Sequence, residues 1–245
     1  MKHMSKSFFS LLLLVSFSSF GQKDKPLTDT LSPAPAVQSQ RYGLRVGADL
    51  YRFGRSFYDD DFNGFEIVAD YRLSKKYYAA AELGTVDFTV DDDQLNFTTK
   101  GSYIKIGFDY NAYENWLDME NMIYAGMRYG FSTFSQNLNS YTIYDPSNYF
   151  EEVTQYPDRE YSGLTAHWVE VVGGVKAELF NNLYLGFSVR LNMLLSESKP
   201  DNFANLYIPG FNRTYEGSFG AGFNYSISYF IPLYKKTASV PAEKK

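Results

Sequence analysis

The chain has 245 residues, with 23 Lys+Arg against 28 Asp+Glu, two His and no Cys, giving a net charge of -5 and a pI near 5.1. The absence of cysteine excludes a disulfide framework, a thiolate metal site, a catalytic thiol and a lipobox for lipid anchoring, and the acidic balance argues against a nucleic-acid partner. Aromatic residues make up 18% of the chain beside 18 Gly, and mean hydropathy is -0.33; this is too polar for a bundle of membrane helices and suits strands whose two faces meet different solvents.

Lys2 and Lys6 precede an apolar run from Phe8 to Val15 that continues to Phe20, and Ser19-Phe20-Gly21 offers small residues where a signal peptidase reads. A cleaved signal over residues 1–21 is therefore expected, since about 13 apolar-leaning residues are too few for a membrane anchor, which needs ~20. Removing Lys2 and Lys6 leaves 21 basic against 28 acidic residues, a net charge of -7. Residues 22–40 carry three prolines and few bulky apolar side chains, so they read as a disordered spacer. No later stretch reaches 18 uninterrupted apolar residues, and no transmembrane helix is expected.

From Arg41 onward the period is two. Leu183, Leu185, Phe187, Val189, Leu191, Met193 and Leu195 share one face, against Tyr184, Gly186, Ser188, Arg190 and Asn192. The stretch from Tyr215 to Ile231 repeats the pattern, with Phe219, Phe223, Tyr225, Ile227 and Tyr229 against glycine, serine and asparagine. Alternation is the mark of a strand, because successive side chains point to opposite faces. Runs of 13 and 17 residues exceed the usual ~5–6 of globular strands and cover the ~9–11 that a tilted membrane strand needs. Six further segments match, within residues 42–50, 65–73, 77–88, 104–110, 123–131 and 169–179. Eight strands is an even number, as in bacterial single-chain barrels.

Alternation alone does not say which face is outside. A soluble lipocalin-like barrel would turn the apolar face inward around a ligand. In a narrow barrel, however, bulky residues fit on the circumference and small ones in the lumen. Here Phe, Tyr, Leu and Ile share one face, while Gly47, Gly84, Gly107, Gly186, Gly220, Gly222, Ser226 and Ser228 lie on the other. Glycine and serine make a poor exterior for a soluble protein. The expected fold is thus all-β, an eight-stranded antiparallel up-and-down transmembrane β-barrel with a polar, side-chain-filled interior. Its joins at residues 74–76 and 180–182 are short and the one around 114–118 is medium, whereas 54–63, 89–98, 135–163 and 197–213 read as long loops. That arrangement fits short periplasmic turns, long extracellular loops and periplasmic termini.

The signal ending Ser19-Phe20-Gly21-Gln22, the aromatic last strand Tyr225 to Ile231 and the eight-strand layout resemble small outer-membrane β-barrels of the OmpA/OmpX shape. More narrowly, residues 41–234 look like the uncharacterised outer-membrane barrel families of Bacteroidota. The chain departs from that pattern in the tail at 235–245, expected to be flexible, and no C-terminal peptidoglycan-binding domain is expected. Asp29-Thr30-Leu31 is similar to the Bacteroidota O-glycosylation pattern, with a plain linker as the alternative. The resemblance implies an outer-membrane location and lipid as a partner.

The inner face is expected to carry Asp49, Glu66, Asp70, Glu82, Asp109, Glu170 and Glu178 with Arg45, Arg72, Lys105, Arg128, Lys176 and Arg190. Seven acids and six bases suit a cross-linked plug, since buried charges persist when paired; a proton or ion path is the sharper alternative. His167 is the one histidine left after signal cleavage and has no catalytic motif around it, so it is expected to pack at the outer rim. With no Gly-x-Ser-x-Gly, phosphate loop or His-rich constellation, the expectation is no enzyme, no cofactor and no metal centre. The acidic triplets Asp59-Asp60-Asp61 and Asp91-Asp92-Asp93 offer oxygens of the kind Ca²⁺ takes, though without EF-hand spacing. The sequons at Asn96 and Asn212 fall in loops, but a bacterial outer membrane argues against their glycosylation. In the third loop, Tyr141, Tyr144, Tyr149, Phe150, Tyr156 and Tyr161 are candidates for binding another outer-membrane or surface protein, because tyrosine combines contact area with a polar tip. The expected role is an accessory or scaffold subunit of an envelope machine (barrel assembly, surface-protein export or secretion), with a transport or ligand-binding barrel as the alternative.

Overall fold

Long alternating segments that cannot bury an apolar face alone pair with their neighbours until the sheet curls round into a ring. A computed structural model of the chain describes residues 38–113, 120–143, 153–200, 204–211 and 218–238. The expected signal peptide, most of the spacer, Thr30, Tyr144, Tyr149, Phe150, the Asn212 sequon and the tail beyond 238 lie outside them. Among the described residues no helix is long and apolar enough to cross a membrane.

The elements are β1 (Gln38–Asp49), α1 (Leu50–Arg55), β2 (Phe62–Arg72), β3 (Tyr77–Asp91), β4 (Leu95–Asn111), β5 (Met122–Ile143), β6 (Val153–Gln155), β7 (Arg159–Phe180), β8 (Leu183–Glu197) and β9 (Phe219–Ala238). Eight of the nine strands form an antiparallel ring, β1-β2-β3-β4-β5-β7-β8-β9 and back to β1, and the three-residue β6 adds to the edge of β5. Ser39–Ala238 is a compact unit by itself.

At one end the connections are tight. Ser74 accepts hydrogen bonds at Oγ from the backbone N–H groups of Lys76 (3.3 Å) and Tyr77 (3.1 Å). Asn182 turns the chain between β7 and β8 at φ 66 and donates its N–H to Glu178 Oε1 at 2.9 Å. We call this the turn end and the opposite one the loop end.

The loop end departs from expectation. Residues 89–98 are not a long loop: β3 and β4 continue to a connection of residues 92–94, closed by Asp92 N–H to Leu95 O at 3.1 Å and the reverse bond at 3.2 Å. Residues 135–163 likewise contain the ends of β5 and β7, so Tyr141 and Tyr161 are strand residues. The physical reason is an inversion of polarity along each strand. On β3 the outward side chains run Tyr77, Ala79, Ala81 and Leu83, then Thr85, Asp87, Thr89 and Asp91, while the inward ones change from Glu82 to Val86, Phe88 and Val90. Alternation persists, but which face is apolar changes, and a search for one apolar face stops at the change.

Residue 50, expected in the first strand, instead opens α1. Asp49 caps that helix, accepting at Oδ1 from Tyr51 N (2.7 Å) and Arg52 N (3.3 Å). Ser56 Oγ accepts from Gly64 N at 2.9 Å and ties the helix end to β2.

Residues 204–211 of the connection between β8 and β9, expected to be a presented loop, fold into the mouth of the ring instead. Tyr207, Ile208 and Phe211 are buried there with Phe62, Val86, Phe97, Tyr103, Phe134, Leu164 and Trp168. The interior is therefore polar only in part, and its loop-end storey is an apolar core. Glycines admit the two largest rings: a Cβ on Gly84 would stand 2.2 Å from the Tyr103 ring, and one on Gly130 2.1 Å from Trp168.

Candidate functional site

Within the ring, all thirteen predicted ionisable residues fall on the inner face, some toward the turn end and the rest in the middle. Toward the turn end, Asp70 lies 2.6 Å from Lys176 Nζ and 3.5 Å from Arg45 Nε. Arg45 also stacks over the Tyr184 ring at 4.4 Å. Arg72 reaches Glu120 at 3.2 Å, and Arg41 bridges Glu120 (3.4 Å) to Glu178 (3.5 Å).

The middle group is denser. Lys105 Nζ is 3.6, 3.3 and 3.4 Å from Glu66, Glu82 and Glu170. Glu82 also meets Arg190 at 2.5 Å and Arg128 at 3.6 Å, and Arg128 pairs with Asp109 at 2.7 Å. The register brings these charges together, because Glu82 stands opposite Lys105 and Arg128 opposite Glu170. Neutral donors complete the lattice: Tyr103 Oη donates to Glu66 at 2.5 Å, Asn224 Nδ2 to Glu66 at 3.0 Å, and Trp168 Nε1 to Glu170 at 2.7 Å.

Sequence reasoning missed three charged members. Arg41 has the parity of Arg45 and Asp49 but precedes the first matching segment at 42–50, Glu120 lies on the β4–β5 connection, and Arg52 comes from α1, whose period differs from that of the strands. Arg52 Nε is 3.6 Å from both Asp49 and Glu66. Its guanidinium also lies over the Tyr103 ring at 5.4 Å. With Arg41 and Arg52 joining six bases and Glu120 joining seven acids, the interior holds eight cations and eight carboxylates among the described residues.

Above this lattice lies the apolar storey. Beside it, where α1 replaces the end of β1, is a cavity of about 850 Å³ lined by Tyr51, Arg52, Arg55, Phe88, Val90, Phe97, Tyr207, Phe223 and neighbouring residues.

His167 lies on the outer face, its Nδ1 2.7 Å from Tyr129 Oη and its ring 4.8 Å from that of Phe131. Asp59 pairs with Arg55 at 2.7 Å and Asp91 accepts from Asn96 at 2.7 Å. Among the described residues no three His, Cys, Asp or Glu converge as a metal site. Of the tyrosine candidates, Tyr156 is 77% exposed, Tyr141 is 37% exposed and paired within the sheet, and Tyr161 lies under Arg159 at 5.0 Å.

Residues 4–236 match the family described as a domain of unknown function, DUF6048. The chain belongs to the DUF6048 family. No curated protein and no solved structure matches it. For this DUF6048 chain the site must be read from its own geometry. Among the described residues, a lattice of opposed charges lies in the ring under an apolar lid.

Proposed function

We propose that the chain is a non-enzymatic integral outer-membrane β-barrel that works as a scaffold or accessory subunit, through its wall and its projecting loop end rather than by conduction. The observation that carries this is the outward apolar belt and the place where it stops. Leu83, Ile104, Phe131 and His167 are successive cross-strand partners, and the next outward row is Thr85, Ser102, Thr133 and Thr165. The outer surface thus changes from apolar to polar in step across β3, β4 and β5, with His167 at the border on β7, as a wall leaving lipid for water would. Tyr77 against Tyr110 (5.5 Å) near the turn end, and Tyr129 and Phe131 around His167 at the other border, supply aromatic rims. On β8, Leu183 to Leu195 extends about 40 Å along the strand, or about 30 Å in height at a tilt of ~40°, enough for an apolar band of about 25 Å.

The resemblance to barrels of the OmpA/OmpX shape and to Bacteroidota families supports the same reading. In it the turn end faces the periplasm, and β3, β4, β5 and β7 rise beyond the belt as a sheet that offers Tyr156 and Tyr141 to a partner protein. A charge-neutral, side-chain-filled lumen supports a scaffold over a pore. The test is extraction from isolated membranes in mild detergent, followed by gel electrophoresis with and without boiling. A heat-dependent mobility shift in the outer-membrane fraction, together with partner proteins retained in detergent, is the expected result. A soluble periplasmic protein without a shift would overturn the membrane reading, and a barrel that purifies alone would overturn the scaffold role. The alternative of a ligand-binding barrel is favoured by one observation, the cavity beside α1.

A further inference from the structure

Resting on the membrane reading above, we infer that the cavity beside α1 is a side entrance that takes the acyl chain of an anionic amphiphile from the surrounding lipid. The entrance follows from a missing length of strand. β1 pairs with β2 only as far as Ala48 opposite Ile67, whereas β2 continues to Phe62. On the other side, a Cβ on Gly47 would meet Ile227 O of β9, and β9 continues past that point to Phe219. The edges of β2 at residues 62–66 and of β9 at 219–225 are therefore parted where a longer β1 would have stood. α1 occupies the break as a post, with Tyr51 edge-on to Phe223 of β9 at 4.9 Å and Phe53 against Phe65 of β2 at 6.4 Å.

The cavity passes this post. Phe187, Val189 and Phe223 line it from the outward face of β8 and β9, and Phe88, Val90 and Phe97 line it from the inward face of β3 and β4. An intact sheet would keep those two faces apart. At about 850 Å³ the space lies within the roughly 300–1,000 Å³ of small-molecule sites. It opens sideways onto the apolar belt, so what reaches it is hydrocarbon. Arg55 stands at its border, stacked over Phe62 at 4.2 Å and Phe88 at 4.9 Å and paired with Asp59. The lining is otherwise aromatic and aliphatic and carries two guanidiniums, Arg52 and Arg55, against one carboxylate, Asp92, a cationic surplus that favours an acyl chain ending in a carboxylate or phosphate.

The test uses the full chain in lipid nanodiscs with palmitate carrying a photoreactive diazirine. Mass spectrometry after illumination should find adducts at Val90 and Phe223 about tenfold above those at Ile106 and Met127 on the far wall, the factor that burying about two methylenes gives. Val90→Trp, which fills the cavity, should remove that excess and leave the heat-dependent gel shift intact. Arg55→Gln should weaken labelling by palmitate but not by diazirine-bearing hexadecane; equal loss or no loss with both probes would overturn the anionic head group. Even labelling around the belt in a correctly inserted barrel would overturn the entrance alone. Failure of the chain to enter nanodiscs or to show a heat shift would overturn the membrane reading and this inference with it.

Discussion

Trp168 and Glu170, two residues apart on β7, point to the same side of the strand, and the indole Nε1–H donates to the carboxylate at 2.7 Å. The same indole packs edge-on against Phe211 at 5.9 Å. One side chain thus joins the charge lattice below to the apolar storey above. Trp168→Phe keeps much of the ring volume but removes the donor, and should cost about 1.5–3 kcal/mol, the range for a hydrogen bond to a charged group. Trp168→Ala should cost about 3–5 kcal/mol through the added cavity. Urea unfolding of the reconstituted barrel, followed by tryptophan emission for the wild type and by gel mobility for all three, measures both.

Glu82 is the hub of the middle lattice, with Arg190, Lys105 and Arg128 all within salt-bridge distance. Taking away one partner of a buried ion group leaves its counterions uncompensated, so Glu82→Ala should destabilise by about 3–5 kcal/mol. The double variant Glu82→Ala, Arg190→Ala should recover part of that loss, because these two residues share one network. The denaturant midpoints of the four chains in a double-mutant cycle check it, and strict additivity would sink the hub role.

The polarity change on β4 separates two outward residues that stand four positions apart on the strand. Ile106 is 53% exposed within the apolar belt, while Ser102 is in the polar row beyond the border. If the belt faces hydrocarbon, Ile106→Arg should cost about 2–4 kcal/mol and Ser102→Arg only ~0–1 kcal/mol. In water the order would vanish, since both positions are solvated. Insertion yield into vesicles and the fraction showing a heat-shifted band distinguish the two, and equal behaviour would count against the membrane.

Most of the ring was legible because alternation survives any choice of solvent. Glu66, Glu82, Lys105, Asp109, Arg128, Glu170 and Arg190 could be set on one face from parity alone, and cross-strand register then made them neighbours. The illegible parts have three causes. Val86, Phe88 and Val90 on β3 reverse the apolar face where the wall leaves the belt, so a pattern defined by one face ends too soon. Residue 50 continues an alternating strand on paper, but Asp49 caps two amides and starts a helix, which carries Arg52 inside on a different period. The burial of Tyr207, Ile208 and Phe211 depends on a hollow that only the closed ring creates, and nothing local in Leu206-Tyr207-Ile208-Pro209-Gly210-Phe211 marks it as inward.

That inward fold hinges on Gly210. Its φ of +84 suits glycine, and a Cβ there would stand 2.5 Å from Cγ of Tyr103. Gly210→Val therefore meets both backbone strain of about 1–3 kcal/mol and a clash with a ring that is itself held by Glu66. The connection should leave the mouth while the ring of paired strands stays folded. Chymotrypsin reads this out: Tyr207 and Phe211 are buried and should resist cleavage in the wild type, whereas the variant should be cut there without loss of the heat-dependent gel shift. Displacing the lid should still not open a channel, because eight cations and eight carboxylates seal the storey below. A conductance step from Gly210→Val in a planar bilayer would show that the lid, and not the lattice, closes the barrel.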